Sequence, residues 1–160
     1  MQKITPFIWF NDKAEEAMNF YMSIFKNSKT INVSRYGDSG PGPKGSVMVC
    51  KFQLDGQEIM ALNGGPMFPL SPAFSLVVNC KNQEEIDEYW EKLSAGGATS
   101  QCGWLTDKFG LSWQIVPEIL GELVGKDPEK SNRVMKALLK MTKLDIKTLK
   151  AAAEQEAMAG

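Results

Sequence analysis

One order of predicted elements occurs twice in this chain, with its two helices starting about 70 residues apart, and that repeat restricts the fold more than any other feature. In the first copy, "ITPFIWF" (Ile4 to Phe10) is β-rich, and its proline sits near the start, where a lost ladder bond is tolerated. "NDKAEEAMNFYMSIF" follows with Ala14, Ala17, Met18, Tyr21, Ile24 and Phe25 at helical spacing; Asn11 or Asp12 can cap it, and acids crowd its first turn. "TINVSRYG" and "SVMVCKFQL" read as strands, and the Asp-Gly of "LDGQ" predicts a two-residue hairpin into "EIMAL". "NGGPMFPLSP" (Asn63 to Pro72) is rich in Gly and Pro and marks a linker.

The order then restarts with strand "AFSLVVNC" and helix "NQEEIDEYWEKLSAGG", in which Asn82 and Glu85 have capping-box spacing. Gly96 and Gly97 stop this helix, and "ATSQCGW" and "LSWQIVP" follow as strands around "LTDKFG", so one strand is less distinct than its counterpart in the first copy. Beyond Pro117 the pattern turns helical: "PEILGELVG", a longer helix opened by Asp127 and Pro128, and "DIKTLKAAAEQEA", with the last few residues expected to fray. These tail helices either close over the sheet or pack on a second subunit. The expected fold is therefore α+β, with βαβββ modules at 1–65 and 73–117 and a helical tail at 118–160, sharing one structural domain.

Composition narrows the function. The chain has 160 residues, 43% hydrophobic and 23% charged, which suits an ordinary globular protein. Eighteen basic residues against nineteen acidic ones leave a net charge of -1, which favours neither nucleic acid nor an anionic membrane surface. Apolar stretches such as "FSLVVNC" are strand-sized, no charged segment followed by an apolar core opens the chain, and a cytoplasmic location is the expectation. Cys50, Cys80 and Cys102 are odd in number and lack CxxC spacing, which argues against a disulfide framework and a structural zinc. Histidine is absent altogether.

Three stretches, "PFIWFNDKAEEAMNFY", "NQEEIDEYWEKLSAGG" and "CGWLTDKFGLSWQIVP", resemble the vicinal oxygen chelate superfamily of glyoxalase I, the extradiol dioxygenases and the bleomycin and fosfomycin resistance proteins. Within it they resemble the PhnB-like branch, also labelled 3-demethylubiquinone-9 3-methyltransferase-like. The resemblance implies a homodimer and a U-shaped trough, formed where two curved sheets meet around a ligand. In metal-using relatives, four side chains of the trough strands hold a divalent ion. The matching positions here fall near Pro6 or Phe7, Met60 or Ala61, Phe74 or Ser75, and Gln114. Of these only Gln114 is a plausible ligand, and a weak one, because transition-metal sites are built mainly from imidazole, thiolate and carboxylate. No metal or other cofactor is expected. The methyltransferase label finds no support either: "GDSGPGPKG" (Gly37 to Gly45) lies between antiparallel strands, and its prolines remove donors that an anion cradle requires. It reads as a loop at the mouth of the trough or as a plain connector.

Along Leu111 to Val116, alternation sends Leu111, Trp113 and Ile115 to the helix-packed face and Ser112, Gln114 and Val116 to the trough. There the Gln114 amide can donate to and accept from a carbonyl or hydroxyl ligand, or be satisfied by neighbouring backbone. Trp9 and Trp104 offer apolar walls with one donor each, Ser75 a hydroxyl, and Asn63 an amide that turn chemistry explains equally well. Cys102 is the candidate nucleophile with Lys108 as its one nearby cation, and Asp107 is a candidate acid or a turn former in "TDKFG". The first expectation is metal-free binding of a small, partly apolar molecule, as in antibiotic-sequestering relatives. A metal-independent enzyme acting on a carbonyl, ring or quinone-like substrate is the second. A trough filled by its own side chains is the third.

Overall fold

The computed structural model describes residues 2–155 and divides the chain into two compact units, with the boundary between Ser71 and Pro72. In the first, β1 (Phe7–Phe10) leads into α1 (Ala14–Ile24), followed by β2 (Lys29–Arg35), β3 (Val47–Leu54) and β4 (Gln57–Asn63). The sheet order is β1-β4-β3-β2, with β1 parallel to β4 and the remaining pairs antiparallel. Asp55 and Gly56 close the β3–β4 hairpin with positive φ at both residues, as Asp-Gly predicts. Helix α1 packs on β3 and β4, burying Ala17, Met18 and Tyr21 with Cys50, Phe52, Ile59 and Ala61. The alternate positions Phe7, Trp9, Met60 and Leu62 occupy the other face, where Phe7 pairs with Met60 and Trp9 with Leu62.

The start of α1 corrects the expected cap. Neither Asn11 nor Asp12 serves; Lys13 stands at the cap position without a side-chain capping bond, and Asn63 Oδ1, from the end of β4, accepts from the Ala14 N–H at 2.8 Å. The cap is non-local in sequence, so local motif reading could not see it.

The second unit repeats the order. β5 (Ser75–Cys80), α2 (Gln83–Ser94), β6 (Ala98–Thr99), β7 (Trp104–Thr106) and β8 (Ser112–Pro117) form a sheet of order β5-β8-β7-β6, with β5 parallel to β8. The expected capping box is present: Asn82 Oδ1 accepts from Glu85 N–H, and the Glu85 carboxylate accepts from the Lys81 N–H. "ATSQCGW" is not one strand. Cys102 and Gly103 both take positive φ, and the Trp104 N–H donates back to the Gln101 carbonyl, so the stretch folds into a tight hairpin between β6 and β7. That turn supplies the less distinct strand and completes four strands in each module.

The tail forms α3 (Leu120–Val124), α4 (Pro128–Leu138) and α5 (Ile146–Glu154), around a core of Leu123, Val134, Leu144, Leu149 and Ala153. It packs on its own module. Gln83 of α2 donates to the Leu144 carbonyl and accepts from the Ile146 N–H, while the Met141 and Thr142 carbonyls accept from the Cys102 and Gly103 N–H groups. The expected fraying lies outside the described residues. Among the described residues no helix is long and apolar enough to cross a membrane.

Candidate functional site

In the second sheet, Trp113, Ile115, Leu111 and Leu105 are buried on the side of α2, where Ile86 and Leu93 meet them. Their neighbours point the other way. On the opposite face Ser112 pairs with Ser75, Gln114 with Val77 and Trp104, and Thr106 with Ser112. Gln114 Nε2 donates to Ser75 Oγ at 3.0 Å, a bond that fixes the amide and leaves its Oε1 carbonyl without a hydrogen-bond partner among the described residues. Two of the expected ligand-binding residues are thus joined directly.

Beside this pair lies a cavity of about 400 Å³, walled by Ser100, Gln101, Cys102, Trp104, Thr106 and Ser112. Cys102 reaches it from the hairpin turn, where its φ of 61° is one that side chains other than glycine and asparagine rarely adopt. Ser112 is 1% exposed, and its Oγ has no partner among the described residues. Alternation placed Ser112 on the Gln114 face, but only the packing around it reveals an unsatisfied hydroxyl.

Asp107 has a different setting. Its Oδ1 accepts from the N–H groups of Phe109 and Leu111, and its Oδ2 accepts from Trp113 Nε1 at 2.8 Å, with the residue 3% exposed. One carboxylate therefore shapes the "TDKFG" turn and anchors the indole on the helix-packed side of β8.

Trp9 and Asn63 belong to the first unit. Trp9 Nε1 donates to the Gly65 carbonyl at 2.9 Å, and its ring stands edge-on to Phe68. Gly64 is required beneath that ring, because a Cβ there would lie 2.3 Å from it. Asn63 donates to the Val47 carbonyl while capping α1. Both side chains are thus engaged by their own unit. The loop of Gly37 to Gly45 wraps the buried Tyr36, whose ring leaves no room for a Cβ at Gly40 or Gly42 and whose hydroxyl donates to the Asn63 carbonyl. A second cavity, of about 320 Å³, lies between this loop and the Asn11–Asp12 turn.

The residues at the superfamily's metal positions do not fit such an ion. Phe7 and Met60 face each other across β1 and β4, Ser75 and Gln114 are hydrogen-bonded to one another, and Ala61 and Phe74 offer no donor atom in their side chains. Two neutral oxygens make a poor set for a divalent metal. Among the described residues no three His, Cys, Asp or Glu side chains are grouped to hold one. The buried thiols of Cys50 and Cys80 are further from thiolate than usual, pushed up to about 11 and about 12, first by burial and then by nearby Glu15 and Glu85 respectively.

Residues 2–116 match the family model described as 3-demethylubiquinone-9 3-methyltransferase. Among solved structures, a PhnB protein from Bacillus cereus is 44% identical, covering 72% of this chain and 99% of its own, with a TM-score of 0.67. A protein from Pseudomonas aeruginosa (22% identity, 74% and 98% covered, TM-score 0.62) shares the fold. So does the fosfomycin resistance protein FosX from Listeria monocytogenes (18% identity, 78% and 98% covered, TM-score 0.58). No match was found among the curated proteins. Paired βαβββ modules, a family match over most of the chain and a close structural relative together place the chain in the 3-demethylubiquinone-9 3-methyltransferase-like (PhnB) family, with the vicinal oxygen chelate fold.

Proposed function

We propose that this protein binds a small, partly apolar molecule on the face of its second sheet opposite α2, without a metal. The observation that carries the reading is the Gln114–Ser75 bond, which holds an amide carbonyl ready for a ligand hydroxyl or N–H beside the Trp104 indole. FosX has been crystallised with Mn(II) and sulfate; the donor set at the corresponding positions of this chain supports a metal-free reading instead. The family's methyltransferase description has no counterpart here in a glycine-rich turn joining a strand to a helix, since the glycine cluster packs around Tyr36 between two antiparallel strands. A cytoplasmic homodimer completes the proposal; the half-exposed Phe74, just before the edge strand β5, and Val77 within it support self-association, which sedimentation equilibrium measures.

Native mass spectrometry of the purified protein, with metal analysis of the same sample, tests the binding reading. The expected result is a retained small molecule and no stoichiometric metal. Gln114→Ala should lower its occupancy about tenfold, the value of one well-placed hydrogen bond, while leaving the melting temperature nearly unchanged. One divalent ion per subunit would overturn the reading.

Cys102, strained in its turn and on the cavity wall, favours a second reading as a metal-independent enzyme with a thiol nucleophile. Cys102→Ser separates the two. Under binding alone ligand occupancy is kept; under catalysis turnover is lost with folding intact.

A further inference from the structure

The chain's net charge of -1 conceals a steep division. Residues 130–150 hold seven basic residues and one acid, Asp145, for a net charge of +6, while the rest of the chain carries eleven basic and eighteen acidic residues, a net charge of -7. This segment runs from the first turn of α4 through the following turn and into α5. Two of its cations are used within their own unit: Arg133 donates to the Ala152 and Ala153 carbonyls near the end of α5, and Lys143 pairs with Asp87. Lys136, Lys140, Lys147 and Lys150 are exposed, and none of the four has a hydrogen-bond or ion-pair partner among the described residues. Like charges gathered in this way repel one another, so the cluster is unfavourable until an anionic partner lies against it.

The same part of α4 presents apolar side chains that the tail core does not use. Val134 is buried in that core, whereas Met135 is 38% and Leu139 62% exposed. The Leu139 N–H donates to the Met135 carbonyl, so the helical turn continues to Leu139, and the two apolar side chains stand one turn apart with Lys136 and Lys140 next to them in the chain. Exposed apolar residues flanked by lysines suit a helix that lies in a membrane interface: the lysine stems carry their ammonium groups to lipid phosphates while methionine and leucine enter the acyl boundary. Nucleic acid fits less well, since Arg133 is engaged elsewhere, no aromatic residue follows Pro117 to stack on a base, and an exposed leucine contributes nothing to phosphate binding. A protein partner of ordinary size would bury about 800 Å² on this side, and two apolar side chains on the convex surface of one helix offer it no groove. We propose that the tail docks on an anionic lipid surface, with Met135 and Leu139 entering the interface and Lys136 and Lys140 meeting the headgroups. Lys147 and Lys150 on α5 add to the field that draws it there.

Cosedimentation of the full chain with vesicles of phosphatidylcholine alone, and of phosphatidylcholine with phosphatidylserine, tests the proposal. Binding is expected to the anionic vesicles only, and it should fall steeply with added salt. Lys136→Gln with Lys140→Gln should weaken it about thirtyfold, the effect of two lysines at a charged membrane surface. Leu139→Gln should weaken it about tenfold by removing an inserted side chain. Lys26→Gln with Lys29→Gln changes the net charge equally but from exposed positions of the first unit, and should leave binding within about twofold. All five positions are exposed, so the melting temperatures of the three variants should match that of the parent. No binding to the anionic vesicles at low salt, equal binding to phosphatidylcholine alone, full binding by either tail variant, or an equal loss in the Lys26 and Lys29 double variant would each overturn the proposal. Retention of a duplex DNA or RNA oligonucleotide without vesicle binding, lost on Lys136→Gln with Lys140→Gln, would overturn it and assign the surface to nucleic acid.

Discussion

Asp107 directs both of its oxygens inwards, where they accept from the backbone N–H groups of Phe109 and Leu111 and from the Trp113 indole. An aspartate before Lys-Phe-Gly reads locally as a turn former, and it is one; its second oxygen, however, holds a tryptophan six residues on, on the buried face of β8. Asp107→Asn keeps the shape but turns an amide N–H₂ towards groups that are themselves donors. Loss of about 3 kcal/mol of stability in urea unfolding is the expected outcome, since a buried donor is left without an acceptor. If stability is kept and a turnover falls, Asp107 belongs with the chemistry instead. Cys102 shows the reverse relation between motif and setting. Its place before Gly103 gives no hint of a positive φ, because cysteine is not a residue that turns of this kind favour, and only the hairpin between β6 and β7 imposes it.

Elements in this protein are tied at their ends by side chains distant in sequence. Helix α2 carries its own cap in Asn82 and Glu85, and its boundaries were readable from "NQEE". Helix α1 does not; Asn63 caps it from 49 residues away while also donating to the Val47 carbonyl, so one amide joins α1, β3 and β4. Asn63→Ala should therefore destabilise the protein by about 2 kcal/mol, more than loss of a simple surface cap, and Asn63→Asp, which keeps the acceptor alone, should lose less. Denaturant titrations of the two variants decide between this role and a ligand contact, which would leave stability unchanged. The tail is tied in the same manner, with Gln83 bonded to Leu144 and Ile146 and Asp87 paired with Lys143 at 2.9 Å. The Gln83 amide and then Lys143 hold the Asp87 carboxyl below its usual range.

At the scale of the whole molecule, the reduced thiols set a limit on alkaline stability. Cys50 and Cys80 are held neutral in the fold, with pKa values raised to about 11 and about 12, against 9.0 for an unperturbed thiol. Above pH 9.0 the unfolded chain loses these protons and the folded chain keeps them. The stability gained by shielding the thiols is complete below that pH and is lost as pH rises through about 11 and about 12. Unfolding free energies measured from neutral pH upwards should fall across this window, and the Cys50→Ala, Cys80→Ala double variant should show a shallower fall. An equal slope in both proteins would mean that other groups govern the alkaline transition.

The repeat of strand, helix and hairpin, the Asp-Gly turn, the α2 capping box and the alternation that separates Trp113 from Gln114 were all determined by the sequence itself, because each depends on residues a few positions apart. The tertiary structure alone decided what depends on residues brought together from far along the chain. It paired Gln114 with Ser75 across 39 positions, brought Asn63 to the start of α1, and docked the tail on the Cys102 turn. The unsatisfied Ser112 hydroxyl belongs to the same class: whether a buried polar group has a partner is settled by every element packed around it, and no local pattern encodes that.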